Sequence, residues 1–157
     1  MTAQWDLLIV SPRLEIKKEL RRILDGLPVN IFVASTLEQA NDVLGRHFIR
    51  LIFSEEYFTD GSYRNLLSVA RALPTKPAFV LMLCTGDWQE YLVALKLGVT
   101  EVIRCPLQPT DVELCLVRVV HTEVAESLQS IVLNSSPSAY EKPEGAEYRA
   151  AASPGAD

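Results

Sequence analysis

Two kinds of apolar pattern alternate through roughly the first 130 residues. Five short runs consist almost entirely of apolar residues, and between them lie longer stretches in which apolar residues recur every three or four positions. Unbroken runs are typical of strands buried on both faces, whereas the spaced pattern is typical of amphipathic helices. The predicted strands are 6–10, 29–33, 51–53, 78–83 and 101–103.

The predicted helices have recognisable ends. The first four stop near Gly26, near Gly45, at Pro74 and at Gly98. Such residues favour the end of a helix. Candidate N-caps precede the second, fourth and fifth helices at Ser35, Asp87 and Thr110. Strict alternation of five strands and five helices predicts an α/β fold, a three-layer, doubly wound parallel sheet.

The end of the chain has a different composition. From Asn134 to Asp157 it contains no Val, Ile, Leu, Phe, Met or Trp. A segment of this kind buries too little apolar surface to offset its ordering entropy. We therefore predict one domain over 1–126 and a C-terminal extension over 127–157, helical to about 133 and disordered beyond.

Composition narrows the class of protein. The chain has 157 residues, 48% hydrophobic and 22% charged, as in ordinary soluble proteins. A net charge of −5 argues against non-specific nucleic-acid binding. The longest apolar run, Ala78–Cys84, is too short to span a membrane, and the N-terminus lacks a signal-peptide pattern. We expect a cytoplasmic protein with neither nucleic-acid nor membrane partners.

In doubly wound folds the working face lies beyond the carboxyl ends of the strands. The sequence places there the residues Ser11, Pro12, Ser54, Glu55, Cys84, Thr85 and Cys105. The chain has no Gly-rich phosphate loop, no Gly-x-Ser-x-Gly turn and no His-Glu-x-x-His motif. Its three cysteines lack the close CxxC pairing of a zinc site.

Several stretches in the expected order carry a family resemblance. They are Leu7–Val10, Asp60–Gly61, Ala94–Gly98, the strand 99–104 and the segment 105–107. Together they resemble the receiver domain of bacterial response regulators, over about residues 5–125. The resemblance implies a flavodoxin-like sheet of order 2-1-3-4-5. The equivalent bond is usually cis in this family. The sequence alone leaves open whether the Cys105–Pro106 bond is cis.

The family transfers a phosphoryl group from a histidine kinase to an aspartate. An acid pair and the aspartate hold magnesium, and a threonine or serine and a lysine contact the phosphoryl oxygens. Here the acid pair falls on Ser11 and Pro12, and the acceptor falls on Glu55. The loop from Glu55 to Asp60 is about two residues shorter than usual.

The remaining positions depart from the family pattern as well. The threonine falls on Leu83 or Cys84, the lysine on Cys105 and the switch aromatic on Val102. A receiver without acid pair, aspartate and lysine lacks both a metal site and a cation for the transferring phosphoryl. The resemblance thus implies a degenerate, phosphorylation-independent receiver with no catalytic residue, no metal and no cofactor.

Two features of this edge, the glutamate and the pair of cysteines, allow alternative interpretations. Glu55 either mimics a phosphoaspartate or is an ordinary glutamate at a strand end; we favour the second because the residues that read the phosphoryl are missing. Cys84 and Cys105 end neighbouring predicted strands and either form a redox disulfide or remain two small apolar thiols. We favour separate thiols, since no feature predicts a low thiol pKa.

Two surfaces are candidates for partner contacts. Basic residues crowd the first helix and predict a possible docking site for an acidic partner: Lys17, Lys18, Arg21 and Arg22, with Arg13 before them. The fifth helix is apolar around most of its circumference, more than a core-facing stripe requires. In receivers the face of helix four, strand five and helix five dimerises. We expect a homodimer through the residues Tyr91, Val102, Leu114, Val117 and Arg118.

The function expected from the resemblance is signal transduction by a stand-alone pseudo-receiver that binds a protein partner in a bacterial two-component pathway. Three alternatives stay open. One is a phosphorylatable receiver with unorthodox ligands, and another is a flavodoxin-like ligand-binding domain or small enzyme. The third is a purely structural dimerisation module.

Overall fold

A five-stranded parallel sheet forms the centre of the fold. The computed structural model describes the backbone of residues 5–134 and the side chains as far as residue 122. The strands are β1 Trp5–Val10, β2 Val29–Ala34, β3 Leu51–Glu55, β4 Tyr57–Phe58, β5 Gly61–Ser62, β6 Ala78–Leu83 and β7 Glu101–Arg104. The helices are α1 Leu14–Leu24, α2 Leu37–Arg46, α3 Tyr63–Ala72, α4 Trp88–Leu97 and α5 Pro109–Asn134.

The sheet order is β2-β1-β3-β6-β7, which confirms the predicted doubly wound α/β fold. Alternate residues of the central strands face opposite sides. Leu8 and Ile52 pack with α2, α3 and Ala94 of α4, whereas Leu7 and Phe53 pack with α1 and the first part of α5. All five residues of β3 are buried. The apolar runs in the sequence therefore correspond to strands covered on both faces.

A small antiparallel hairpin, β4–β5, follows β3 and was not expected from the sequence. Asp60 in its turn accepts hydrogen bonds from the backbone N–H groups of Leu37 at 2.8 Å and Glu38 at 3.0 Å. These two N–H groups lie in the first turn of α2, where backbone donors lack partners within the helix. Their hydrogen bonds lower the pKa of Asp60 and tie the hairpin to α2.

Helix ends agree with the sequence in some places and differ in others. Asp87 caps α4 through the backbone N–H groups of Gln89 and Glu90, and Gly98 ends that helix in the left-handed conformation. The N-cap of α2 is Thr36, so the expectation of Ser35 is wrong. The Thr36 hydroxyl accepts the N–H of Gln39 at 3.1 Å. α5 begins at Pro109, so Thr110 lies within the helix and the expectation that it is the N-cap is wrong.

The chain divides into two units, with the boundary between Val119 and Val120. The first unit carries the sheet. Residues of the second are described only as part of α5. The predicted domain boundary after residue 126 remains a prediction, and the predicted disordered tail lies outside the described residues. No helix in the described part of the chain combines the length and apolar character needed to cross a membrane.

Candidate functional site at the carboxyl edge of the sheet

The positions predicted from the sequence gather at one edge of the sheet. Ser11 directly follows β1, Glu55 ends β3, and Cys84 and Cys105 follow β6 and β7. Pro12 is exposed beside Ser11 and has no side-chain donor or acceptor. Leu83 does not take part, because its side chain is buried in the apolar cluster beneath α2 and α3.

A buried carboxylate occupies the acceptor position and is already bonded on two sides. Glu55 is 7% exposed and Ser11 is fully buried. The Ser11 hydroxyl donates to Oε2 of Glu55. Arg13 donates from Nη2 to Oε1 at 2.8 Å, and from Nε to both carboxylate oxygens at 3.2 Å. Ser11, Arg13 and Glu55 are called the carboxylate cluster below.

Arg13 neutralises Glu55 from within the chain. The hydrogen bonds to Glu55 raise the pKa of Arg13, so the guanidinium stays charged at any physiological pH. A buried carboxylate needs such a partner, since an isolated charge at low dielectric is strongly disfavoured. Sequence reasoning placed Arg13 only on the basic helix and missed this role. The available signal was a cation three residues after β1, together with a carboxylate predicted at the end of the strand that neighbours β1 in the sheet.

The magnesium ion used by receiver domains does not fit this arrangement. Magnesium favours several oxygen ligands, with carboxylates supplying charge. Ser11 and Pro12 supply no carboxylate, and the one at Glu55 is paired with the cation of Arg13. Within residues whose side chains are described, no group of three or more His, Cys, Asp or Glu is arranged to hold a metal ion.

A second carboxylate beside the cluster faces a different strand. Glu56 is 4% exposed and accepts a hydrogen bond from the Thr85 hydroxyl at 3.2 Å. Burial raises the pKa of Glu56, while hydrogen bonds from Thr85 and the Cys84 backbone partly offset the rise. Thr85, which the sequence placed just beyond the expected threonine position, thus contacts a carboxylate after all.

Cys84 and Cys105 are joined by a disulfide, with their Cα atoms 4.7 Å apart. The sequence interpretation of two separate thiols therefore differs from the structure. The reason is the register, because Leu83 pairs with Arg104 as the last rung between β6 and β7. The next residue on each strand then lies opposite the other. The peptide bond between Cys105 and Pro106 is cis.

Four of the five residues expected at a partner surface line one groove, and the fifth, Val117, is exposed on α5 one turn after Leu114. This α4–β7–α5 face is lined by Trp88, Tyr91, Glu101, Val102, Ile103, Arg104, Asp111, Leu114, Cys115 and Arg118 around a shallow groove of about 330 Å³. Trp88 stacks on Tyr91 with ring centroids 4.9 Å apart, and the Arg104 guanidinium lies 5.2 Å above the Trp88 ring. Arg118 pairs with Glu101 at 2.9 Å.

The basic side chains of α1 are partly engaged within the chain. Lys17 donates to the Ser35 hydroxyl at 2.5 Å, and Arg22 pairs with Glu19. Lys18 and Arg21 are exposed. The docking role of this helix stays a prediction.

No protein-family model matches the chain, and no curated protein matches it. Several solved structures are similar to it. A signal receiver domain from Vibrio parahaemolyticus superposes with a TM-score of 0.74 at 14% identity, covering 80% of this chain and 97% of that one. The signal receiver domain of an HD domain-containing protein from Pseudomonas fluorescens superposes with a TM-score of 0.71 at 19% identity. The match covers 81% of this chain and 94% of that one. This is the receiver fold.

A third likeness has the same extent. A CheY-like response regulator receiver domain from Methanospirillum hungatei gives a TM-score of 0.70 at 18% identity, covering 78% of this chain and 99% of that one. The resemblance stated from sequence motifs is thus confirmed at the level of the receiver fold. Identity this low shows the fold alone.

Proposed function

We propose that this chain is a receiver-like signalling protein that binds protein partners in a two-component type of pathway, in the bacterial cytoplasm, without being phosphorylated. One observation carries the proposal. The carboxylate at the acceptor position, that of Glu55, is buried and bonded to Ser11 and Arg13. The receiver fold supplies the signalling context.

Phosphoryl transfer to a carboxylate depends on positioning and on cations that stabilise the transferring group. In the carboxylate cluster the only cation, Arg13, is already paired with the would-be acceptor. The position of the usual lysine holds Cys105, which is bonded to Cys84. Nothing in this arrangement favours a phosphoryl group over the ion pair that exists.

The test uses magnesium and beryllofluoride, a phosphoryl mimic, on isotope-labelled protein, with amide NMR shifts as the readout. We expect no saturable shifts at Ser11, Glu55 or Cys105. A receiver domain that carries the acid pair and aspartate serves as the positive control. Magnesium-dependent, saturable shifts at these residues would favour the alternative of a phosphorylatable receiver with unorthodox ligands.

We further propose that the α4–β7–α5 face binds a second copy of the chain. The inward stripe of α5 buries Val112, Cys115 and Val119, yet Leu114 and Val117 are 43% and 61% exposed. α4 adds four exposed apolar side chains, namely Trp88, Leu92, Leu95 and Leu97. Exposed apolar side chains in this number on two neighbouring helices favour an interface.

Light scattering across a concentration series tests the homodimer. We expect the mass to rise toward twice the 17.5 kDa of one chain. Val117→Asp should weaken association at least tenfold, while Leu14→Asp on α1 should not; Leu14 is a matched control because it is 59% exposed. A concentration-independent monomer mass contradicts the homodimer. It leaves the phosphorylation test above unaffected.

The ligand-binding or enzymatic alternative needs convergent polar groups with spare hydrogen-bonding capacity. The described polar side chains at the carboxyl edge instead bond to one another, Ser11 and Arg13 to Glu55 and Thr85 to Glu56. Native mass spectrometry of the purified protein checks this point. A stoichiometric copurified small molecule would favour the alternative.

A further inference from the structure

The Cys84–Cys105 disulfide lies at the same carboxyl edge of the sheet as the carboxylate cluster and takes no part in the ion pair there. It joins β6 to the loop after β7. Both cysteines are half-buried, packed at the margin of the apolar cluster beneath α1 and α5. A disulfide at the margin of the core is within reach of a reductant, whereas one sealed inside is not.

We propose that Cys84–Cys105 is a reversible thiol–disulfide site, reduced by protein dithiols and re-formed by low-molecular-weight disulfides, whose state sets the geometry of the α4–β7–α5 face. The second half of this statement rests on the proposed function, in which that face binds a partner. The first half stands by itself.

The chemistry needs no further co-reactant. A thiolate of the dithiol attacks one sulfur of the Cys84–Cys105 bond, forming a mixed disulfide and releasing the other cysteine as a thiolate, which takes up a proton. The second thiol of the reductant, deprotonated, displaces the remaining cysteine, which is also protonated. Two electrons pass to the chain, and the reductant leaves as its own disulfide. An oxidised glutathione molecule reverses the process and leaves as two reduced molecules.

The third cysteine provides an internal contrast. Cys115 is 1% exposed, and burial raises the pKa of its thiol to about 12. Because the thiolate is the reactive form, Cys115 is inert in exchange at neutral pH. Thiol chemistry in the described part of the chain is therefore concentrated at the pair.

The bond closes a ring that contains a mostly exposed helix. That helix is otherwise held from α3, by hydrogen bonds to the Glu90 carboxylate and to the Leu97 carbonyl. The covalent ring from Cys84 to Cys105 contains all of α4 and β7. Of the ten residues of α4 only Ala94 is buried. Arg104, next to Cys105, lies over the ring of Trp88 at the start of α4. Opening the ring thus removes the covalent link between the two ends of the segment that forms most of the α4–β7–α5 face. The segment is then held by noncovalent contacts, among them the pairing of β6 with β7 and the contacts with α3, which is why we expect its geometry to respond.

The proposed cytoplasmic location adds a second argument for a reversible bond. In a reducing cytoplasm, the compartment proposed above, disulfides in mesophilic proteins are usually transient and catalytic or redox-sensing. A fixed structural bond is the exception there. A reversible bond reconciles the structure with that compartment.

The test begins with the full chain alone. Folded protein is equilibrated in buffers of reduced and oxidised glutathione, then in dithiothreitol, and thiols are counted by alkylation and mass spectrometry. We expect the thiol count to change by two, reversibly, with the Cys115→Ser variant changing by the same two. Reduction should lower the Tm by about 5–10 °C, since it removes a cross-link that closes a loop of this size.

Amide NMR spectra of both states test transmission to the face. We expect shifts concentrated over 84–108 and absent from α1 and α2, with Cys84→Ser and Cys105→Ser each reproducing the reduced spectrum. Three free thiols under every oxidising buffer would overturn the proposal, and so would a bond that is reduced only after unfolding. A reversible bond with shifts confined to the two cysteines would overturn the control of the face. None of these readouts depends on whether a partner binds.

Discussion

The carboxylate cluster and the α4–β7–α5 face differ in how far their side chains are already satisfied by contacts within the chain. The cluster is rich in polar groups, and its buried carboxylate is bonded to a hydroxyl and a guanidinium of the same chain. The face is rich in apolar groups, and several of them are exposed to water, such as Trp88 at 57% and Leu114 at 43%. Buried polar atoms with partners have little left for a ligand, whereas exposed apolar surface still gains free energy on burial. Of the two regions, the α4–β7–α5 face therefore has more free energy to gain from binding a partner.

The largest effect should come from removing the cation of the cluster. Arg13→Ala leaves Glu55 buried with only the Ser11 hydroxyl as partner, which we expect to cost about 2–3 kcal/mol of unfolding free energy. Adding Glu55→Gln should recover much of that loss, because the unpaired charge is gone. Urea unfolding measures both. Arg21→Ala is the control, because it removes an exposed cation of α1, and it should change stability by less than about 0.5 kcal/mol. Equal costs for Arg13→Ala and Arg21→Ala would mean that the ion pair contributes nothing.

A smaller effect is expected at the end of α4. Gly98 has φ +108°, and a Cβ there would meet the Arg71 guanidinium, which donates to the Leu97 carbonyl. Gly98→Ala should therefore cost about 1–2 kcal/mol. Gly45→Ala in α2 has nothing within 4 Å of the added carbon and should stabilise by about 0.5–1 kcal/mol. Thermal unfolding of both variants checks the contrast. If both variants changed the stability in the same direction, the left-handed conformation of Gly98 would not be needed to end α4.

The next prediction concerns pH and the second carboxylate. Burial raises the pKa of Glu56 in the folded state. The contribution of Glu56 to the free energy of unfolding is therefore most favourable at acidic pH and declines as the pH rises through the folded-state pKa. Glu56→Gln keeps an acceptor for Thr85 but cannot ionise. The stability of the variant relative to the wild type should therefore grow between about pH 4 and pH 7. Chemical denaturation at four pH values in this range measures the difference. A pH-independent difference would contradict the burial of a charge at Glu56.

The smallest effect is expected at the rim of the face. Arg118 and Glu101 form an ion pair whose side chains are 56% and 22% exposed. Because such pairs contribute little, Arg118→Ala should change the unfolding free energy of one chain by about 0–0.5 kcal/mol. If the face binds a second copy, the variant should alter the salt dependence of association instead. Light scattering at low and high salt, beside the unfolding curve, separates the two readouts.

Prediction from sequence succeeded where many residues contribute to one signal. The strands and their sheet order follow from apolar runs such as 78–83 and from the receiver-like motifs, and all five parallel strands were found. The end of α4 at Gly98 was also predicted, because a left-handed C-cap strongly favours glycine.

Prediction failed where a single long-range contact decides the outcome. Arg13 is separated from Glu55 by 42 positions, and its place in a charged helix suggested an exposed role. The Cys84–Cys105 bond depends on the register of two strands, and a shift of one residue would have separated the sulfurs. The β4–β5 hairpin has only two residues in each strand, too few to show a period.

The disulfide also changes what a single cut in the chain can release. Lys96 and Arg104 both lie between Cys84 and Cys105, within the covalent ring. A protease that nicks the oxidised chain once after Lys96 leaves two fragments that still migrate as one band on a non-reducing gel. Only a reductant separates them. Limited tryptic digestion therefore reports the state of this bond in a crude extract, before any purification step exposes the protein to air.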